Sequence, residues 1–381
     1  MRRVTTSYLT FLLIISFIVL APLTGEGAKR NDLAQPGNSG SAQLAASDKA
    51  AQTPSSVCRK RSRKKVHRKV AASHRVTKSQ RLIPVYQPQR QVPGRISRAV
   101  YARTLGDIQG PLPEVISSEI AKLRDTHHLL NSDDISIYIH DLTKDETVVS
   151  IKSEQVRNAA SLIKPFVMLT VYDMAYQNKL SLTDAIENQI RKMITISHNE
   201  STNSLIRLVG GGDVRKGLQQ INSTIRKYGF TDTYLVEPIP EGGKTYLNRT
   251  SAHDMSEFFK KIYRHCLVTP NYSQKMIDVL LDNKVHRIET PTLAQDKVPV
   301  ADKTGYVRGT NGDCGIVFLR NINRQASDYV VSIIIENPYR PLDGWGKQKT
   351  AVIRHLSNLI YSYFRLQFQT ARTSHASPVD G

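Results

Sequence analysis

Apolar and polar positions alternate along Ile135-Ser-Ile-Tyr-Ile-His-Asp-Leu142, the period of a strand with a buried face. A shorter strand-like run follows at 147–151, and apolar positions at helical spacing precede both near 113–128. From Asn158 to Gln177 the chain is almost continuously apolar, which predicts a buried helix opening a helical block over 161–228. Residues 229–249 show neither period and read as irregular. Helices are predicted near 251–265 and 272–282, strands near 298–303, 314–321 and 328–336, and a last helix near 346–367. Arg320-Asn-Ile-Asn-Arg324 reads as the loop between two strands. This order of strands, helices, strands and helix predicts an α+β fold. One antiparallel sheet brings its first and last strands together, with helices packed on it.

The two ends of the chain are different material. Met1-Arg-Arg3 and the apolar run Tyr8–Leu23 read as a signal peptide over 1–28, or as a short uncleaved membrane anchor through 8–23. Either places the rest outside the cytoplasm, in the periplasm or cell envelope. Residues 29–106 are a predicted disordered linker with a strongly basic tail. From Lys49 to Gly106 there are sixteen Lys/Arg and no Asp or Glu, so this stretch carries most of the formal net charge of +20. It suits anionic envelope polymers, or serves as a solvated spacer; export argues against nucleic acid. The apolar patterning belongs to residues 107–370, about 260 residues and enough for a large core; residues 371–381 are expected to be disordered.

Three short motifs carry the chemistry. Ser161-Leu-Ile-Lys164 puts a serine one helical turn before a lysine at a helix N-terminus, and positions i and i+3 share a face. A desolvated lysine amine can take a serine proton. Ser197-His-Asn199 adds a hydroxyl and an amide on a loop, and Lys303-Thr-Gly305 follows the strand-like run Val298–Asp302. Each motif is common alone. Ser-x-x-Lys recurs at Ser62–Lys65 in the basic tail, and Ser-x-Asn recurs at Ser201–Asn203. It is the order and the predicted elements that select the first copies.

Taken together the motifs resemble the class A β-lactamase and penicillin-binding serine hydrolase superfamily. Ile135–Leu142, Ser197–Ile206 with Gly210-Gly-Gly212, Asn248–Met255 and Ala301–Tyr306 resemble that family's further landmarks. The resemblance implies a five-stranded antiparallel sheet with helices on both faces plus a helical subdomain. It implies Ser161 as the acylated nucleophile and Lys164 as its base or as part of the proton relay. Ser197 would relay a proton to the leaving nitrogen, and Asn199 would bind the substrate amide. Lys303, Thr304 and Gly305 would hold the substrate carboxylate. The main-chain N–H groups of Ser161 and Tyr306 would form the oxyanion hole.

Two departures qualify it. The family's deacylating glutamate stands in a Glu-x-x-Leu-Asn pentapeptide; here Lys244-Thr-Tyr-Leu-Asn248 has a lysine in its place. Glu237 and Glu241, flanking Ile239, are the candidate deacylation bases. Ser161 and Ser197 are separated by 36 positions, a shorter interval than is usual in the family, which implies a more open cleft. His198 replaces the family's aspartate, as a pH-sensitive partner or a satisfied loop histidine.

Of Cys58, Cys266 and Cys314, the latter two are candidates to pair in an oxidising compartment. Cys58, among cations, is a candidate for a reactive thiolate or a crosslink. No His, Cys or acidic spacing implies a metal, and Gly210-Gly-Gly212 followed by Asp213 reads as a helix cap, so no cofactor is expected. The favoured function is β-lactam hydrolysis. A D-alanyl-D-alanine carboxypeptidase or endopeptidase acting on peptidoglycan stands close behind, and a silent cell-wall-binding relative is the third reading.

Overall fold

The computed structural model describes residues 110–374, residue 342 excepted. The expectations for residues 1–106, Cys58 and the last residues lie outside the described residues. In chain order, helix α1 (Leu112–Asp125) precedes strands β1 (Asp134–Asp141) and β2 (Glu146–Ile151). The short strand β3 (Arg157–Asn158) leads into a single 3-10 turn, Ala160–Ile163. Helices α2 (Lys164–Tyr176), α3 (Asp184–Thr195), α4 (Asn199–Val209) and α5 (Val214–Lys227) follow. The short strand β4 (Arg249–Thr250) precedes α6 (Ala252–Tyr263), α7 (Pro270–Leu281) and α8 (Pro291–Gln295). Strands β5 (Val300–Val307), β6 (Thr310–Val317) and β7 (Tyr329–Glu336) then complete the sheet, and α9 (Trp345–Ser374) ends the described chain.

The sheet runs β2-β1-β7-β6-β5 with every pair antiparallel. First and last strands meet, as the element order demanded. Alternation sorts their side chains: Ile135, Ile137 and Ile139 of β1 and Val331, Ile333 and Ile335 of β7 enter a core with α1 and α9. Tyr138, Val330 and Ile334 enter a second core with α2, α6 and α7 on the opposite face. Helix α2 runs through that second core and is buried from Lys164 to Asp173, hence its unbroken apolar sequence. The irregular residues 229–249 lie over this helical layer, between α5 and β4.

Local chemistry sets the boundaries. Thr183, Asp213, Ser251, Thr269 and Thr290 each accept a main-chain N–H at a helix start, satisfying donors that the helix leaves free. Asp213 thus follows the Gly210–Gly212 cap as expected. The short α8 was not anticipated, and α9 continues past its expected end. Strand β5 runs through the Lys303 motif to Val307, and β6 begins at Thr310. Their Gly-, Asn- and Asp-rich sequence masks a strand whose residues are all buried. The Cys266–Cys314 pairing is not formed. Cys314 is a free, buried thiol in mid-sheet, between Lys303 and Ser332 in the ladder, whereas Cys266 lies in the turn after α6.

Asp133, before β1, ties the C-terminal helix to the sheet. It accepts hydrogen bonds from Leu130 N (2.8 Å), Asn337 Nδ2 (2.7 Å) and Trp345 Nε1 (2.8 Å), and pairs with the fully buried Lys349 at 2.5 Å. Removing one partner of a buried pair leaves the other charge uncompensated. Lys349→Met is therefore expected to cost about 3–5 kcal/mol in urea unfolding; a loss under about 1 kcal/mol would show that this anchor is dispensable.

Candidate active site

The Ser161 turn is held from three sides. Asn158 Oδ1 accepts the Ala160 N–H at 2.9 Å, Glu336 Oε1 of β7 accepts the Asn158 N–H at 3.1 Å, and Asn248 O accepts the Ala159 N–H at 2.9 Å. These bonds hold Ala160 at a φ of 44°, a left-handed conformation that costs a non-glycine residue about 1–3 kcal/mol. Ser161 therefore stands in the one-turn 3-10 segment and Lys164 is the first residue of α2, rather than both lying within one α-helix. Gly305 explains how the turn meets the sheet. A Cβ there would lie 2.7 Å from Leu162 Cγ and 3.0 Å from Ala159 O, so only glycine lets β5 approach so closely.

Lys164 is fully buried and reaches across to the second motif. Its Nζ lies 2.6 Å from Ser197 O, 2.9 Å from Asn199 Oδ1 and 3.0 Å from Ser197 Oγ. Burial, with the Lys303 charge adding to it, lowers its pKa to about 6. Near neutral pH it is an amine with two N–H groups and one lone pair. Two carbonyl oxygens take the N–H groups, which leaves the lone pair for a hydroxyl proton. Ser161 Oγ, half-buried, has no hydrogen bond among the described residues.

Ser197 has a φ of 56°, and its Oγ also lies 3.2 Å from Lys303 Nζ. One hydroxyl thus bridges two lysines. Burial lowers the pKa of Lys303 to about 8, with the Asp302 charge behind it opposing the fall. Lys303 Nζ further donates to Thr304 O at 2.9 Å. The two-residue turn after Val307 makes Val307–Thr310 the closing pair. By antiparallel alternation, Thr304 and Tyr306 then turn their main-chain groups to the free edge of β5, beside the Ser161 turn. The Tyr306 side chain leaves this edge and lies over Gly346 of α9.

The second motif's other members divide. Asn199 opens α4, its oxygen committed to Lys164 and its Nδ2 near Gly243. His198 caps α4: its Nδ1 accepts from Ser201 N at 3.2 Å and lies 2.9 Å from Ser201 Oγ. It is a satisfied loop histidine.

The candidate bases sit in a loop built by side chains that the motifs did not reveal. Asn203, from the second Ser-x-Asn, clamps both main-chain groups of Ile239 at 2.8 Å. Asn222 does the same to Leu235 at 2.8 Å. Asn248 spends its oxygen on Val236 N and Glu237 N and its amide on Glu237 O and Thr245 Oγ1. Glu237 is a staple, its Oε1 accepting from Thr245 Oγ1, Tyr246 N and Leu247 N. Glu241 is exposed in the 3-10 turn Glu241–Gly243, two residues before Gly243 meets Asn199. Lys244 is also exposed. Arg287, before α8, was likewise missed. It is buried close to the Asp302, Asp313 and Tyr306 end of β5 and β6, and its Nε and Nη1 find no acceptor among the described residues.

Residues 116–190 and 185–364, well over half the chain, match the Beta-lactamase enzyme family. The chain belongs to that family. Among solved structures it is similar to one described as the structure of PBP-A, at 19% identity and a TM-score of 0.55, over 68% of this chain and 98% of that one. A β-lactamase from Sphaerobacter thermophilus is similar at 20% identity and a TM-score of 0.54, over 66% of this chain and 97% of the other. A mutant of PBP-A in an acyl-enzyme complex with penicillin G is similar at 20% identity and a TM-score of 0.52, over 67% and 99%. A search of curated proteins finds no match. The β-lactamase-type fold therefore stands on the family match and on shape, while the pentapeptide's glutamate is replaced by the exposed Lys244.

Removing the Asn203 clamp tests the loop. Asn203→Ala leaves Ile239 N–H and C=O without partners, a loss of about 1–3 kcal/mol. Hydrogen exchange of the Ile239 amide is expected to quicken while α2 amides stay protected. Equal protection in the variant would mean that the clamp does not hold the loop.

Proposed function

We propose that the protein is an exported serine hydrolase, acylated on Ser161 by β-lactams and by D-alanyl peptides, and that its acyl-enzyme is long-lived. The observation that carries this reading is Lys164: a buried amine with a pKa of about 6, hydrogen-bonded to both members of the second motif. In this mechanism Ser161 Oγ attacks the carbonyl carbon as its proton passes to Lys164, directly or through Ser197. The developing oxyanion faces the N–H groups of Ser161 and Tyr306. The carbon–nitrogen bond breaks as Ser197 delivers a proton to the leaving nitrogen, with Lys303 behind it. Asn199 Nδ2 donates to the substrate amide. Lys303 and Thr304, at the close-packed Gly305, hold the carboxylate, with the Arg287 guanidinium, whose Nε and Nη1 have no acceptor among the described residues, adding charge.

Motif order alone favours fast β-lactam hydrolysis. The loop shifts the balance towards a penicillin-binding peptidase. Deacylation needs a base aimed at water; the Oε1 of Glu237 is already taken by three donors, which leaves only its Oε2, and the side chains of Glu241 and Lys244 are exposed and make no hydrogen bond among the described residues. The penicillin acyl-enzyme of a structural relative supports such chemistry for this fold. Filled positions at Ser161, Lys164, Ser197, Asn199 and Lys303 disfavour a silent binding domain. The N-terminal apolar run supports export, and the basic stretch over 49–106 supports contact with anionic envelope polymers.

Fluorescent penicillin, followed over time on the purified protein, tests this. The expected outcome is a label that persists and that Ser161→Ala abolishes. A label that forms and clears with product release would assign a β-lactamase instead, with Glu241 the first residue to change. No label at all would overturn the reading.

Lys164 must be neutral to act as base, and it is neutral above its pKa of about 6; Lys303 loses its charge above about 8. The acylation rate is therefore expected to rise with pH through about 6 and fall again above about 8. A rate unchanged from pH 5 to 7 would remove Lys164 from the role.

A further inference from the structure

Behind the Lys303 motif lies a cluster of charges that this chemistry does not use. Asp302 and Asp313 are both completely buried. Asp302 precedes Lys303 on β5, and Asp313 stands opposite Thr304 on β6. Opposite residues in a ladder, and residues two apart, share a face, so both carboxyls leave the sheet on one side as diagonal neighbours. Gly315, opposite Asp302, makes the room: a Cβ there would lie 2.8 Å from that of Asp302.

Each carboxyl has one well-served oxygen. Asp302 Oδ1 accepts from Asn283 Nδ2 at 2.7 Å and lies 2.9 Å from His286 Nδ1. Asp313 Oδ2 accepts the N–H groups of Arg287 at 2.7 Å and Ile288 at 2.8 Å. The remaining two oxygens, Asp302 Oδ2 and Asp313 Oδ1, are buried and receive no hydrogen bond among the described residues. Arg287 does not fill the gap, since its buried Nε and Nη1 also lack an acceptor. Two neighbouring carboxylates cannot both stay ionised in a dry interior, and one shared proton resolves the conflict.

We propose that Asp313 is kept as the neutral acid, donating its proton to Asp302 Oδ2, and that it is thereby the positioning residue that sets the charge behind Lys303. Burial and the Asp302 charge both act to hold the Asp313 proton on. The groups that act on the pair are Lys303 on β5, Cys314 on β6, and His286 and Arg287 on the α7–α8 connection; Glu289 acts on His286, and Tyr306 and Arg354 on Arg287. Burial opposes a charge on His286, but the bond to Asp302 prevails and raises its pKa to about 9. The protonated pair carries one negative charge, which His286 matches. Lys303 and Arg287 then keep their positive charge for an anionic group at the Thr304 edge. Without the proton, the pair would carry a second negative charge and repel that group. The consequence for substrate rests on the proposed function; the proton itself does not.

Asp313→Asn is the test, because an amide reproduces the protonated acid. Its oxygen accepts the Arg287 and Ile288 N–H groups, and its NH2 donates to Asp302. The wild-type protein is expected to show a carboxylic-acid carbonyl band in the infrared at neutral pH, absent from Asp313→Asn. The variant should fold, and its penicillin acylation rate should stay within about threefold of wild type across the pH profile. Asp302→Asn removes the one negative charge that supports Lys303, so its alkaline limb should move to lower pH. Absence of the carbonyl band, failure of Asp313→Asn to fold, or an alkaline limb displaced in Asp313→Asn would each overturn the proposal. Should wild type not react with penicillin at all, the proposed function fails while the infrared band still decides the proton.

Discussion

A primary amine buried without a carboxylate is the constraint on which the rest of this structure depends. An isolated buried ammonium is so costly that the group gives up its proton instead. Lys164 meets that condition at the head of a helix apolar on every side, its nitrogen bonded to neutral oxygens of Ser197 and Asn199. Lys303, at the other side of the same serine hydroxyl, lies in equally dry surroundings but has the Asp302 carboxylate behind it. Two like residues are thus pushed towards different tasks by what surrounds them, one towards base and one towards cation.

Holding these groups together strains the chain locally. Ala160 and Ser197 both adopt left-handed backbone conformations, and β6 carries Asn311, Gly312, Asp313 and Gly315 where a central strand would ordinarily be apolar. Each is unfavourable for the element that contains it. The compensation is remote: two apolar cores on opposite faces of the sheet, and the buried Asp133–Lys349 pair that seats α9. Such division between a strained site and a stable scaffold is common in enzymes.

Legibility in the sequence follows the same division. Where one physical demand acts, as on Ile135–Ile139 or on the apolar α2, the pattern names the element and the face. The chemical motifs were legible as well, because Ser161, Lys164, Ser197, Asn199 and Lys303 carry chemistry that few other residues supply. The strand boundaries at β5 and β6 were displaced because Gly305 answers to the Leu162 approach and Asp313 to a charge cluster, not to strand propensity. Asn203, Asn222, Asp313 and Arg287 were illegible for another reason. Their partners are main-chain groups or residues distant in sequence, such as Ile239, Leu235 and Asp302, and nothing local records them. The repeated Ser-x-Asn shows the limit well: the same triplet is a lysine partner at Asn199 and a loop clamp at Asn203.

The loop over 229–249 shows how structural duty restricts chemistry. A carboxylate activates water only if a lone pair is free and directed at it. The Oε1 of Glu237 meets three donors from Thr245, Tyr246 and Leu247, and the Asn248 side chain has both its oxygen and its amide engaged within the same loop. Turning Oε1 to water would unpair two main-chain N–H groups, so the loop's fold leaves Glu237 only its Oε2 for such a task. Glu241 carries no such duty, but it is exposed, where a carboxylate is hydrated and lacks the fixed orientation that catalysis requires.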